Sequence, residues 1–230
     1  MAMVRTFNHK AGRAQAAAPQ YARHLWPGSV YAFEPRERSK AWVPMRRLKY
    51  QVAVSADGYL LEPDDGFEIY PSQDDPEQYL HSLHAYGIVL MGRCAYEAAK
   101  QAGHDDPYPH LMSYVFSRTQ DAFVHPRVEM VRESAESWVR RIKACPGKDI
   151  CLAGGARLAA SLFKAGLIDE VVLKLYPMMR GSGQKLLSDL DEPVALGWQH
   201  STACEDGTVT LGYAVLAEDQ LSLEEEKRAP

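Results

Sequence analysis

The sequence predicts an α/β domain built on a mostly parallel central sheet, with helices on both faces and a C-terminal antiparallel hairpin. Three observations predict it. Short apolar runs of strand length alternate with stretches of helical periodicity, the pattern of a parallel sheet with crossover helices. Several of those runs, such as Ile88-Val89-Leu90-Met91, are apolar throughout, as a strand covered on both faces must be. The last two runs, Val194 to Cys204 and Thr208 to Leu216, flank Glu205-Asp206-Gly207, a sequence suited to joining antiparallel strands.

Taken in order, Lys49 to Val54 is a β-branched, apolar run that stops at the turn Ser55-Ala56-Asp57-Gly58. Asp74-Asp75-Pro76-Glu77 reads as a helix start, with acids near the positive end of the dipole and proline in the first turn. Tyr79, Leu80, Leu83 and Tyr86 follow at helical spacing, and Gly87 is expected to close that helix. The strand Ile88–Met91 leads into Gly92-Arg93 and a short helix through Tyr96. Tyr114-Val115-Phe116 ends in Ser117-Arg118-Thr119, and Val128 to Val131 alternates like a strand. A helix follows from Glu133 to Ala144, then a strand from Asp149 to Ala153 that delivers Gly154-Gly155. The next helix runs to about Ala165, with Gly166 at its end, and Val171 to Tyr176 is a strand closed by Pro177.

Composition bounds the function. Of 230 residues, 46% are apolar and 24% charged, which is the make-up of a soluble globular chain. A formal charge of −4 argues against a general nucleic-acid binder, and no run approaches the roughly 18 apolar residues of a membrane span. Cys94, Cys145, Cys151 and Cys204 form neither a C-x-x-C pair nor a zinc-finger spacing with histidine, so they read as reduced thiols of a cytosolic protein, with no metal site. The domain is placed at residues 45–217. Residues 1–44 contain no acid before Tyr31 and carry Arg5, Lys10, Arg13 and Arg23; a tail, a packed arm and an organelle-targeting segment all fit. Residues 218–230 are a charged tail.

Chemistry is expected where strands end, because open α/β sheets bind ligands at the carboxyl ends of their strands. Gly92-Arg93 and Gly154-Gly155 each precede a helix, whose free N–H groups and dipole favour phosphate. Ser117-Arg118-Thr119 adds hydroxyl donors and a guanidinium. Three such turns on one sheet point to a phosphate-rich dinucleotide, although neither G-x-G-x-x-G nor G-x-x-x-x-G-K-[ST] occurs.

Five segments occur in order: Val54-Ser55-Ala56-Asp57-Gly58-Tyr59, Leu90 to Glu97, Phe116 to Thr119, Ala153-Gly154-Gly155 and Gly166-Leu167-Ile168-Asp169-Glu170. Together they resemble the dihydrofolate-reductase-like superfamily, in the branch related to the C-terminal reductase domain of riboflavin biosynthesis. The resemblance implies an NADPH-dependent homodimer. It implies backbone contacts from Ala53 and Leu60 to the nicotinamide carboxamide. It places Gly92, Arg93, Ser117, Arg118 and Thr119 on the adenosine side, with Arg93 or Arg118 reading the 2′-phosphate, and Gly154, Gly155 and Ala156 at the pyrophosphate. The family has threonine where this chain has Ala95.

The acceptor side is less marked. Asp57 and Glu97 are weak candidates for a proton donor, with a turn former and a solvent-facing helix residue as their plainer readings. Asp74, Asp75 and Glu77 read better as helix-dipole residues, His81 and His84 as surface histidines, and His104-Asp105-Asp106 as a solvated loop or a loop touching substrate. The zinc deaminase signature of bifunctional riboflavin-pathway proteins is missing from the chain. Three functions follow: an NADPH-dependent reductase of a pterin-like, pyrimidine-like or carbonyl acceptor; a nucleotide-binding protein without turnover; and a scaffold whose N-terminal arm mediates interactions.

Overall fold

The computed structural model describes residues 46–61, 83–118, 125–188 and 190–217. Within them the chain runs β1 (Leu48–Ser55), β2 (Tyr86–Gly92), α1 (Arg93–Gln101), β3 (Met112–Phe116), β4 (Val128–Val131), α2 (Ala135–Lys143), β5 (Asp149–Leu152), α3 (Ala156–Lys164), β6 (Glu170–Tyr176), β7 (Leu196–Ala203) and β8 (Val209–Val215). Among the described residues the strands make one sheet in the order β4-β3-β2-β5-β1-β6-β8-β7. The first six run parallel, and β8 runs antiparallel between β6 and β7. This is the expected fold class.

The continuously apolar strands are the ones that feed two cores. In β2, Ile88 and Leu90 point into one core while Val89 and Met91 point into the other. β5 divides in the same way, with Ile150 and Leu152 on one face and Cys151 opposite. α2 and α3 cover the first face through Trp138, Val139, Leu158 and Leu162, and α1 covers the second through Tyr96. Trp138 is gripped by Tyr114 and Phe116 of β3, with ring centroids 4.6 and 5.6 Å away.

α3 ends where a left-handed residue is required. Gly166 has φ +63 and donates to Phe163, while Leu167 donates to Leu162 and buries its side chain in the first core. That pair of bonds is a Schellman stop.

The amino edge of the sheet is held by charge. Arg47 and Lys49 of the β1 entrance both pair with Asp149 and Glu170: Arg47–Asp149 is 2.9 Å, Lys49–Asp149 3.3 Å and Lys49–Glu170 2.9 Å, with Arg47–Glu170 closing the network. One residue earlier, Arg46 donates to the Lys148 carbonyl at 2.6 Å and lies across two glycines. A Cβ at Gly87 would stand 2.8 Å from its guanidinium, and one at Gly147 3.1 Å.

Two expectations are corrected. β2 starts at Tyr86, so Tyr86 and Gly87 belong to a strand and do not close a helix. Tyr86 pairs with Asp149, a bulge absorbs the mismatch before Ile88, and its ring packs into the second core. α1 also extends to Gln101, past Tyr96, because Ala98, Ala99, Lys100 and Gln101 are strong helix formers. The helix expected from Asp74, residues 1–44, Thr119, His81 and the tail at 218–230 lie outside the described residues.

Leu162 is fully buried between α3 and the sheet. Leu162→Ala is expected to lower unfolding free energy by about 2–5 kcal/mol in urea titrations, through lost burial and the cavity left behind. A smaller loss, with an unchanged urea dependence, would show that this layer does not pack as described.

Candidate functional site

Parallel strands end on a common edge, so the turns after β3, β2 and β5 stand side by side at the carboxyl end of the sheet. The two glycine turns touch. Gly92 donates its N–H to the Gly154 carbonyl at 3.1 Å. A Cβ at Gly155 would lie 3.0 Å from both the N and Cα of Gly92, and one at Gly92 would lie 3.2 Å from Gly155 Cα. Gly155 also has φ +96, a conformation that other residues adopt only under strain. The Ala95 methyl fills the space beside Gly154, 3.1 Å from where its Cβ would be.

Each glycine turn opens a helix with no cap of its own. Gly92 and Gly155 are the N-caps of α1 and α3, so neither offers a side-chain acceptor, and neither helix has an acid in its first turn. α2, by contrast, has Glu136 there. The positions where an acid would complement the dipole are instead basic: α1 begins with Arg93, and Arg157 is the second residue of α3. Arg157 is exposed, and sequence reading passed over it. The signal was available, since arginine directly after Gly-Gly-Ala opposes the usual first-turn preference for acids. Ala156 is buried, so it can serve a ligand only through its backbone.

β3 ends beside them. Ser117 is buried and donates its N–H to the Val131 carbonyl, and Arg118 follows it, exposed. Arg93 bonds both carboxylate oxygens of Glu97 at 3.1 Å, one helical turn on. That pair orients the Arg93 guanidinium along α1.

On the other side of β5, β1 ends in the turn that carries Asp57. Its carboxylate accepts from the Ser55 hydroxyl at 2.5 Å and from the N–H groups of Arg180 at 3.0 Å and Gly181 at 2.7 Å. Those bonds, the Ser55 hydroxyl first, pull the carboxyl down to about 2. Asp57 is therefore ionised at neutral pH and ties the β1 turn to the loop after β6. Ala53 and Leu60 face the same turn: the Ala53 carbonyl accepts from Leu61 N–H at 3.0 Å, Leu60 donates to the Gln184 carbonyl at 2.8 Å, and the Leu60 carbonyl accepts from the Arg180 guanidinium at 2.6 Å.

The remaining candidates lie elsewhere. His84 is exposed next to the β2 entrance. His104, Asp105 and Asp106 follow α1 at the opposite edge of the sheet, where Asp106 binds Arg127 and the Asp105 carbonyl accepts from Tyr96.

Fold and site together define an α/β domain of the dihydrofolate-reductase-like class. The chain belongs to the RibD C-terminal domain family, whose model matches residues 46–210. It is 29% identical over 173 residues to "Uncharacterized protein YwjB" of Bacillus subtilis, covering 74% of this chain and 95% of that one. The putative riboflavin biosynthesis protein from Shewanella sp. PV-4 shares its fold at a TM-score of 0.62 and 19% identity, over 74% of this chain and 99% of that chain. So does a diaminohydroxyphosphoribosylaminopyrimidine deaminase/5-amino-6-(5-phosphoribosylamino)uracil reductase from Thermotoga maritima, at a TM-score of 0.53 and 15% identity, over 75% of this chain and 57% of that chain.

Two outcomes check this geometry. Gly155→Ala is expected to cost at least about 1–3 kcal/mol by urea unfolding, since the added methyl meets Gly92 in a strained backbone. For Asp57 the sign follows from its lowered pKa: the carboxylate contributes stability above its ordinary value near 4 and loses it as pH falls through about 2. Wild type should exceed Asp57→Asn in urea midpoint from pH 5 to 7, with the gap closing toward pH 2. A gap independent of pH would remove the carboxylate from this account.

Proposed function

We propose that this chain is an NADPH-dependent reductase that delivers a hydride to a small heterocycle of the pyrimidine or pterin kind, or to a related carbonyl compound. The observation that carries the reading is the Gly92–Gly155 contact, which sets two uncapped helix N-termini together with Arg93, Arg118 and Arg157 beside them. The fit to a pyrophosphate is steric as well as electrostatic: glycine leaves the backbone bare where a Cβ would otherwise stand.

When bound, NADPH supplies the hydride, and the chain supplies position and charge. The N–H groups opening α3 from Ala156 would hold the pyrophosphate. Arg93 would read the 2′-phosphate, with Glu97 fixing the guanidinium in place, and Arg118 and Arg157 would add charge at the adenosine and phosphate side. Ala53 and Leu60 would meet the nicotinamide end through the second lone pairs of their carbonyl oxygens, since the Leu60 N–H is held by Gln184, one strand beyond β5. The span from the β3 end to the β1 end is three strand spacings, about 14 Å at ~4.8 Å each, which calls for a dinucleotide more than a single nucleotide. Family membership supports the reductase class, and the Thermotoga maritima protein's own description supports a pyrimidine as acceptor.

One observation favours binding without turnover: Asp57 and Glu97, the candidate carboxylates among the described residues, are both committed to other groups. NADPH oxidation measured over dihydrofolate, dihydrobiopterin and pyrimidine substrates separates the two readings. Cofactor binding with no turnover on any of them would leave the non-catalytic one.

In fluorescence titrations, Arg93→Ala is expected to weaken NADPH by roughly tenfold or more and NADH much less, the difference being one charged hydrogen-bonding partner. Equal losses for the two cofactors would remove Arg93 from the 2′-phosphate.

A further inference from the structure

β1 turns Leu48, Tyr50, Val52 and Val54 into the first core, so Lys49, Gln51, Ala53 and Ser55 face the opposite side of the sheet. A polar row on a central parallel strand is unusual, because such strands are normally buried on both faces. Three of its members have local explanations. Lys49 is spent on Asp149 and Glu170, Ala53 is small, and Ser55 is buried and holds the Asp57 turn. Gln51 stands apart.

Tyr86 reaches Gln51 from β2, across β5, and donates its hydroxyl to Gln51 Oε1 at 2.6 Å. The tyrosine is 5% exposed, packed with Val89, Met91 and Cys151. Burial pushes its hydroxyl well above the ordinary tyrosine range, so it stays a donor. A hydroxyl donating to the amide oxygen fixes which way the amide points, because only the oxygen can accept. The amide nitrogen is then turned away from Tyr86, with two N–H donors and no hydrogen-bond partner among the described residues. Gln51 lies two residues, about 7 Å along the strand, from Ala53.

We propose that Gln51, oriented by Tyr86, reads the hydride acceptor by donating from its amide nitrogen to a ring carbonyl of a planar dioxopyrimidine-type heterocycle. This rests on the reductase reading, in which Ala53 lies at the nicotinamide end. Gln51 is then a specificity-determining residue and Tyr86 a positioning residue. Lys49 before it on β1 is consumed by the ion-pair network and Ser55 after it by Asp57, which leaves this amide as the row's uncommitted donor among the described residues.

The test uses the full chain with 5,6-diaminouracil as probe, titrated calorimetrically with and without NADPH, and NADPH titrated separately. Gln51→Glu keeps the acceptor for Tyr86 and replaces the donor with an oxygen that repels a carbonyl; Gln51→Leu removes both. Each is expected to weaken the probe by about tenfold or more while NADPH affinity stays within about twofold, and Tyr86→Phe, which frees the amide to flip, to weaken it less. Unchanged probe binding in Gln51→Glu, parallel loss of probe and NADPH, or no probe binding by wild type would each overturn the assignment. Probe discrimination by Gln51 in a chain that binds no NADPH would keep the amide–carbonyl recognition and sink the reductase reading that makes its ligand a hydride acceptor.

Discussion

The site depends on backbone meeting backbone at Gly92 and Gly155. β2 and β5 are neighbours, so their ends can be no farther apart than one strand spacing, roughly 4.8 Å. α1 leaves β2 toward one face and α3 leaves β5 toward the other, and the two departing chains pass each other at van der Waals contact. Only glycine permits that passage, and because it holds, two helices on opposite faces of the sheet begin almost at the same point. The absence of side-chain caps in both follows from the same choice of residue.

The two edges of the sheet use charge in opposite ways. At the amino edge Arg47, Lys49, Asp149 and Glu170 neutralise one another around strands β5, β1 and β6, and the burial of Glu170 makes that pairing obligatory. At the carboxyl edge arginines outnumber acids among the described residues. Arg118 and Arg157 have no acidic partner among the described residues, and Arg93 is paired only within its own helix. The first arrangement ties three neighbouring strands together; the second leaves arginine side chains exposed.

Much of this was legible in the sequence, and the limits have physical causes. Continuously apolar runs such as Ile88–Met91 report burial on both faces, and Gly166 or Glu205-Asp206-Gly207 report local backbone requirements, so strand order of appearance, the end of α3 and the hairpin could be read. Asp57 was legible as a turn former, and the structure assigns it that work. Tyr86 was misplaced because its period fits a helix as well as a strand entrance; what decides is pairing with Asp149, distant in sequence. The Tyr86–Gln51 bond joins residues 35 apart across an intervening strand, and no local pattern encodes it. Arg157 could have been noticed, because its position in a helix's first turn is electrostatically wrong unless an anion is expected.

The position of β1 carries a consequence for how the chain reaches this state. β1 is the first described strand to be made, yet both of its neighbours, β5 and β6, come late: Arg47 meets Asp149 across 102 residues and Glu170 across 123. Its apolar side, Leu48, Tyr50, Val52 and Val54, therefore waits on the ribosome without a strand to pair with until most of the domain has emerged. Long-range parallel pairing of this kind is slow and leaves a sticky segment uncovered in the meantime. The arginines and lysine interleaved at its start, Arg46, Arg47 and Lys49, put like charges on every such nascent strand, which discourages one growing chain from pairing with the next.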